Sequence, residues 1–237
     1  DSLVNILSKF GFKMMGHVLD TGELLMLKDK RDIDYSTPFT SYPYIDPDFN
    51  FAGIIVVDEG YHDKLFPYSE LAHVSYQTDI LSDVAGNGVT KMYVSSAYTG
   101  GYEPGEPVLI YRKSTTKLPA SFHSAVTSIG TITKHIPVKS NDELLLSKDE
   151  VKHILGNKSV LSDAELNEFL NHKDVDIYEL VYDYYFGAGN NVNWRTLHNL
   201  NMYNAYPLTI HYENLPFKEF LSNQRGGLPQ IIGQKSW

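Results

Sequence analysis

Apolar residues at Leu3, Ile6, Leu7 and Phe10 recur at the i, i+3, i+4, i+7 spacing of one helical face, and Gly11 follows where a helix stops. Phe12 to His17, a turn at Asp20-Thr21-Gly22 and the apolar run from Leu24 to Leu27 read as a β-hairpin. Residues 31–50 are rich in Asp, Ser, Pro and Tyr, and Pro38, Pro43 and Pro47 argue for a tethering segment. Short strand-like runs follow at Ala52–Val57, Lys91–Ser95, Pro107–Arg112 and Ser124–Lys134, with a turn or short helix at Tyr61–Pro67 and a Gly/Asn loop at 86–90. Short strands punctuated by Gly, Pro and Ser have the spacing of a small barrel. Two Ser-x-x-Glu capping boxes, Ser147 to Glu150 and Ser162 to Glu165, each precede a helical apolar pattern. Ile177–Phe186 returns to strand, Asn193 is placed to cap a helix over Trp194–Leu200, and the polar, Gly-rich residues 223–237 read as a flexible tail.

The 237 residues contain 17 Tyr and 11 Phe, which reinforces the strand reading, because aromatic side chains suit half-buried pleated surfaces. The formal charge of −9 argues against binding nucleic acid through broad phosphate neutralisation and restricts any such contact to a local patch or a base-sized pocket. With no cysteine, disulfides, thiolate catalysis and Cys-ligated zinc are excluded. No apolar stretch reaches the ~20 residues of a membrane helix, and the first residues lack a secretory signal, so the reading is a cytoplasmic protein without a membrane partner. The start, without Met, reads as a cut from a longer chain.

Leu3-Val4-Asn5-Ile6-Leu7-Ser8-Lys9-Phe10-Gly11-Phe12-Lys13, with Gly16 and Thr21–Met26, resembles the last helix and β-hairpin of the GNAT acetyltransferase fold. That family holds the pyrophosphate of acetyl-CoA on a Q/R-x-x-G-x-G/A loop at a helix N-terminus. Gln224-Arg225-Gly226-Gly227 has the wrong spacing, so no cofactor is expected in this chain, and acetyl-CoA is a possibility for the parent protein only. Tyr61–Pro67, Lys91–Ala97, Pro104–Arg112, Val126–Ile132 and Pro207–Tyr212 resemble a PUA-like domain, of the kind related to ASCH and EVE folds and often fused behind a GNAT domain. The combined expectation is an α+β chain: a GNAT-like C-terminal remnant at 1–30, a linker at 31–50, a PUA-like small β-barrel with peripheral helices at 51–222, and the tail. The resemblance implies RNA or a modified nucleobase as ligand.

The residues themselves offer a ligand-binding set of Ser95, Ser96, Tyr98, Tyr111, Arg112, Lys113, Trp194 and Arg195. Tyr111 can stack on a base at a strand end while Arg112 pairs with a phosphate or carbonyl edge. The alternative makes Tyr111 core, with Arg112 and Lys113 a solvated strand terminus. Ser95, Ser96 and Tyr98 precede Gly100-Gly101, where small hydroxyls can approach a ligand, or else serve turn chemistry. Trp194-Arg195 offers a stacking-plus-cation pair, or a Trp that plugs the core.

No catalytic or metal-ligating residue is assigned: the nine His are scattered without an H-E-x-x-H, and no G-x-S-x-G elbow or P-loop occurs. The first expectation is a recognition module for RNA or a modified base. The others are a substrate-positioning part of an N-acetyltransferase whose catalytic half is elsewhere, and a protein-interaction domain, with a homodimer suggested by the tyrosine excess.

Overall fold

The computed structural model describes residues 2–67, 69, 84–96, 101–116, 123–202, 210–213 and 220. The expected elements form close to where the pattern placed them. Helix α1 (Leu3–Lys9) starts on Ser2, whose hydroxyl accepts from the Asn5 amide, and leads into the hairpin of β1 (Lys13–His17) and β2 (Leu24–Leu27). This unit touches the remainder through Phe10, whose ring meets Phe39 and Tyr42 edge-on. No α1 residue is buried, and Met14, Met15, Leu19 and Leu25 of the hairpin are exposed.

The main body is one mixed eight-stranded sheet with helices around it. Its elements are β3 (Phe51–Asp58), α3 (Glu59–Leu65), α4 (Val84–Asn87), β4 (Thr90–Ser95), β5 (Pro107–Lys113), β6 (Ala125–Ser140) and β7 (Glu143–Leu144). After α5 (Lys148–Leu155) and α6 (Asp163–Leu170) come β8 (Val175–Tyr185), β9 (Val192–Asn193), α7 (Trp194–Asn199) and β10 (Ile210–Glu213). A short helix, α2 (Pro38–Ser41), precedes them. Both capping boxes are made, and the Asn193 side chain accepts from the Thr196 amide, so local chemistry at those three helix starts acts as its residues dictate.

The strand order is β10-β3-β5-β6-β8-β4, with β7 and β9 pairing on β6. β3 and β5 run parallel, and every other pairing in this sheet is antiparallel. Parallel strands are usually covered on both faces, and these are. On one face Ala52, Ile54, Leu109 and Tyr111 join Val126, Ile129, Phe186 and Leu197; on the other Ile55, Val57, Val108 and Ile110 join Leu65, Phe66, Tyr102 and Tyr178. A third cluster packs α5 and α6 on Met92, Val94, Val138 and Ile177.

Two expectations need correction. The described strands form an open path rather than a closed barrel. β10 takes the edge of β3 at residues 51–54, and beyond it the Tyr93 hydroxyl of β4 donates to the Val56 carbonyl at 2.9 Å, a side-chain bridge where a barrel would have a backbone ladder. The segment 31–50, expected as a tether, is anchored: Ile45 is 1% exposed and Phe49 6%, both in the first core cluster. Its apolar residues outweigh its prolines. The tail at 223–237 lies outside the described residues.

Candidate functional site

The seam between β3 and β4 opens into a cleft of about 450 Å³. β3 contributes Val56–Asp58, β4 contributes Met92–Ser95 with Ser96 beyond it, α3 contributes Tyr61 and Leu65, and Lys113 closes the end of β5. The loop Ser159–Leu161 and Glu168, Phe169 and His172 of the α6 end complete the wall. Tyr61 and Phe169 meet edge-on at 6.4 Å between centroids, and His172 sits 6.4 Å from Phe169. Tyr61 and Phe169 from two helices, and His172 just past α6, thus line the cleft together with Ser95 and Ser96 of the β4 end. Lys113 Nζ stands 3.1 Å from Asp58 Oδ1.

Each wall is held from behind. Arg112, whose side chain is 7% exposed, donates from Nε and Nη2 to the two oxygens of Asp63, both at 2.8 Å, and its Nη1 lies 3.3 Å from Glu59 Oε2. Glu59 and Asp63 flank Tyr61 on α3, so this ion cluster fixes the helix that presents that ring. Burial pushes the Asp63 carboxyl up, but hydrogen bonds from Arg112 and His62 outweigh it and leave it below the usual range. His62 has no exposed surface, and burial holds its pKa below 6.5. A neutral ring then donates from Nδ1 to Asp63 (2.9 Å) and accepts at Nε2 from the Thr127 hydroxyl (2.8 Å).

This Asp-His-Thr order is the arrangement that activates a nucleophile. Thr127 is 0% exposed, however, so no substrate reaches it, and the trio serves the fold.

The opposite wall is fixed by a buried acid. Glu179, 2% exposed, accepts from Lys158 at 2.9 Å and Thr133 at 2.8 Å, and the Met92 amide donates to the Lys158 carbonyl at 3.0 Å. The loop leading into Ser159–Leu161 is thereby tied to β4 and β8. Tyr61 has its pKa raised, first by burial and then by Glu165, Glu168 and Asp58, so its hydroxyl keeps its proton.

The structure brings Ser95, Ser96 and Lys113 of the sequence-selected set together here and leaves others out. Tyr111 has no exposed surface and belongs to the first core cluster, so it offers no stacking face. Arg112 is spent on Asp63 and Glu59, and the strand alternation turns it to the opposite face from Tyr111. Trp194 packs against the first core with its ring 5.0 Å from that of His198, Arg195 is exposed beside it, and neither lines the cleft. Tyr98 lies outside the described residues. Sequence reasoning missed Tyr61, Tyr93, Phe169 and His172. The capping box at Ser162 placed α6 but carried no sign that its far end faces β4.

Other hollows lie among the described residues. One of about 710 Å³ at the opposite end of β3 is lined by Asp46, Asp48, Glu103 and Glu106, of which Asp46 and Glu106 close turns onto nearby amides. One of about 170 Å³ adjoins Lys91, whose buried ammonium donates to the Ala85 and Gly86 carbonyls at 2.8 and 2.7 Å and so caps the end of α4. Among the described residues no group of three or more ligating side chains could hold a metal ion, and no helix is long and apolar enough to cross a membrane.

No protein-family model and no curated protein matches the chain. Among solved structures it is similar to the ASCH protein of Zymomonas mobilis, at 8% identity and a TM-score of 0.45 over 73% of this chain and 95% of that one. A single-residue variant of the same protein is matched at 9% identity and a TM-score of 0.47, over 73% of this chain and 96% of the other.

Proposed function

We propose that the chain is a PUA-like recognition module whose cleft between β3 and β4 binds a planar heteroaromatic ring, a nucleobase of RNA or a modified nucleobase. The observation that carries this reading is a hollow of about 450 Å³ lined by Tyr61, Tyr93 and Phe169 together with Ser95 and Ser96. Ligand sites are hollows of roughly 300–1,000 Å³ with apolar, aromatic walls and a few convergent polar groups. A base stacks on such a ring with about 1–3 kcal/mol, and hydroxyls can donate to or accept from its edge.

The overall charge of −9 fits the same reading, because a ring held by stacking needs no surplus of Lys and Arg. The chemistry is recognition rather than turnover. The cleft pairs its lysine with Asp58, and the Asp-His-Thr trio is sealed inside the fold.

The experiment is calorimetric titration of the full chain with a panel of natural and modified nucleosides. Phe169→Ala should weaken binding by about ten- to a hundredfold, while Trp194→Ala leaves it unchanged. If Phe169→Ala, folded by circular dichroism, binds as the wild type does, the cleft is not the site.

A further inference from the structure

We infer that the ring this cleft prefers carries a positive charge, as an N-alkylated purine or pyrimidine does, and that a phosphate attached close to it is disfavoured. The inference rests on the reading of the cleft as a nucleobase site and adds which modification it selects.

Lys113 is the one lysine or arginine among the described lining residues, and its ammonium is already matched by Asp58 at 3.1 Å. Glu168 stands exposed at the rim one residue from the Phe169 ring, with no lining cation left to balance it. Glu165, one turn earlier on α6, brings a further carboxylate towards the Tyr61 hydroxyl, with Lys64 of α3 acting on that carboxylate from outside the lining. Tyr61 responds to these acids: beyond the effect of burial, Glu165, Glu168 and Asp58 all raise its pKa.

The described lining therefore has a negative balance around electron-rich ring faces. Such faces attract a cation through their quadrupole, more strongly where water is displaced. A carboxylate within one helical turn adds to that attraction. The same balance opposes a phosphate, which would approach Glu168 and Asp58 with only one, already paired, ammonium to meet it.

The charge can be varied without changing composition. 1-Methyladenosine is cationic at pH 7, and N6-methyladenosine is its neutral isomer. Titrated into the full chain, the first should bind on the order of tenfold more tightly than the second. Adenosine 5′-monophosphate should bind less tightly than adenosine. Glu168→Gln, an exposed substitution, should shrink the preference for the cation over its neutral isomer.

Equal affinity for the two isomers, or a preference that Glu168→Gln leaves intact, overturns the inference and leaves the ring-binding reading standing. Binding of neither isomer and of no other nucleoside in the panel overturns both.

Discussion

Arg112 and Asp63 face each other across β5 and α3 in a two-point grip, Nε to Oδ1 and Nη2 to Oδ2, each at 2.8 Å. The guanidinium that the sequence offers to a ligand is thereby committed to the fold. Removing one partner of a buried ion pair leaves an uncompensated charge and costs about 3–5 kcal/mol. Arg112→Ala should lower stability by that amount in denaturant unfolding. Arg112→Lys should recover only part of it, since an ammonium cannot make the planar two-point contact. A loss under 1 kcal/mol for Arg112→Ala would show that the cluster contributes little.

Acid should unfold the protein in two stages. His62 is held below its ordinary 6.5, chiefly by burial. Glu59 and Asp63 are lowered because the hydrogen bonds and charges on them outweigh their burial. All three groups have folded-state values below their unfolded ones, so their stabilisation is complete above the unfolded value and is lost as pH falls through the folded one. Melting temperature should start to drop below pH ~6.5, the unfolded value for His, and drop further below pH ~4, where carboxylates titrate. His62→Gln should remove the first decline and keep the second.

Asp183 works in the opposite direction. It is buried, accepts from the Thr131 hydroxyl at 2.6 Å, and burial raises its pKa well above 3.8. A carboxyl raised in the folded state favours folding at low pH, and that advantage is lost as pH climbs above its unfolded value. Asp183→Asn keeps an acceptor for Thr131 and cannot ionise. The stability difference should therefore move in favour of the variant as pH rises from about 4 to 8. A difference that stays flat over that window would mean that Asp183 titrates as an ordinary carboxylate.

Gly130 pairs with Tyr182 where the β6–β8 register shifts. A Cβ there would stand 2.6 Å from the Val181 carbonyl oxygen and 2.8 Å from Leu180 Cδ1. The oxygen belongs to the backbone of the neighbouring strand, so relief requires the β6–β8 ladder to shift. Gly130→Ala should cost about 1–3 kcal/mol, read as a lower denaturant midpoint at unchanged slope.

How much of this was legible in the chain depended on the range of the interactions. Ser147, Ser162 and Asn193 each announce a helix because the cap and its amide are three residues apart, and those helices form. The strand-forming run Val108–Tyr111 announces a strand, and β5 is one. It also puts Tyr111 and Arg112 on opposite faces, which is enough to separate them from a common pocket. What covers each face was not legible. Arg112 meets Asp63, 49 positions away, and the cleft joins α3 to the end of α6, with β4 between them in sequence. Ser95 and Ser96 could be chosen as small hydroxyls after a strand and ahead of a Gly pair, and Lys113 because it ends a strand; Phe169 could not, because its role follows from how α6 packs on β4.

The central claim is that a ring enters between Tyr61, Tyr93 and Phe169. Backbone amide chemical shifts of the full chain, followed while a nucleoside that binds is titrated, test it most directly. The account predicts that the responding amides are those of Tyr93 to Ser96, Lys113, Ser159 to Leu161 and Phe169. Shifts confined to Trp194 and Arg195, or to the acidic hollow around Asp46 and Glu106, with the cleft silent, would contradict it.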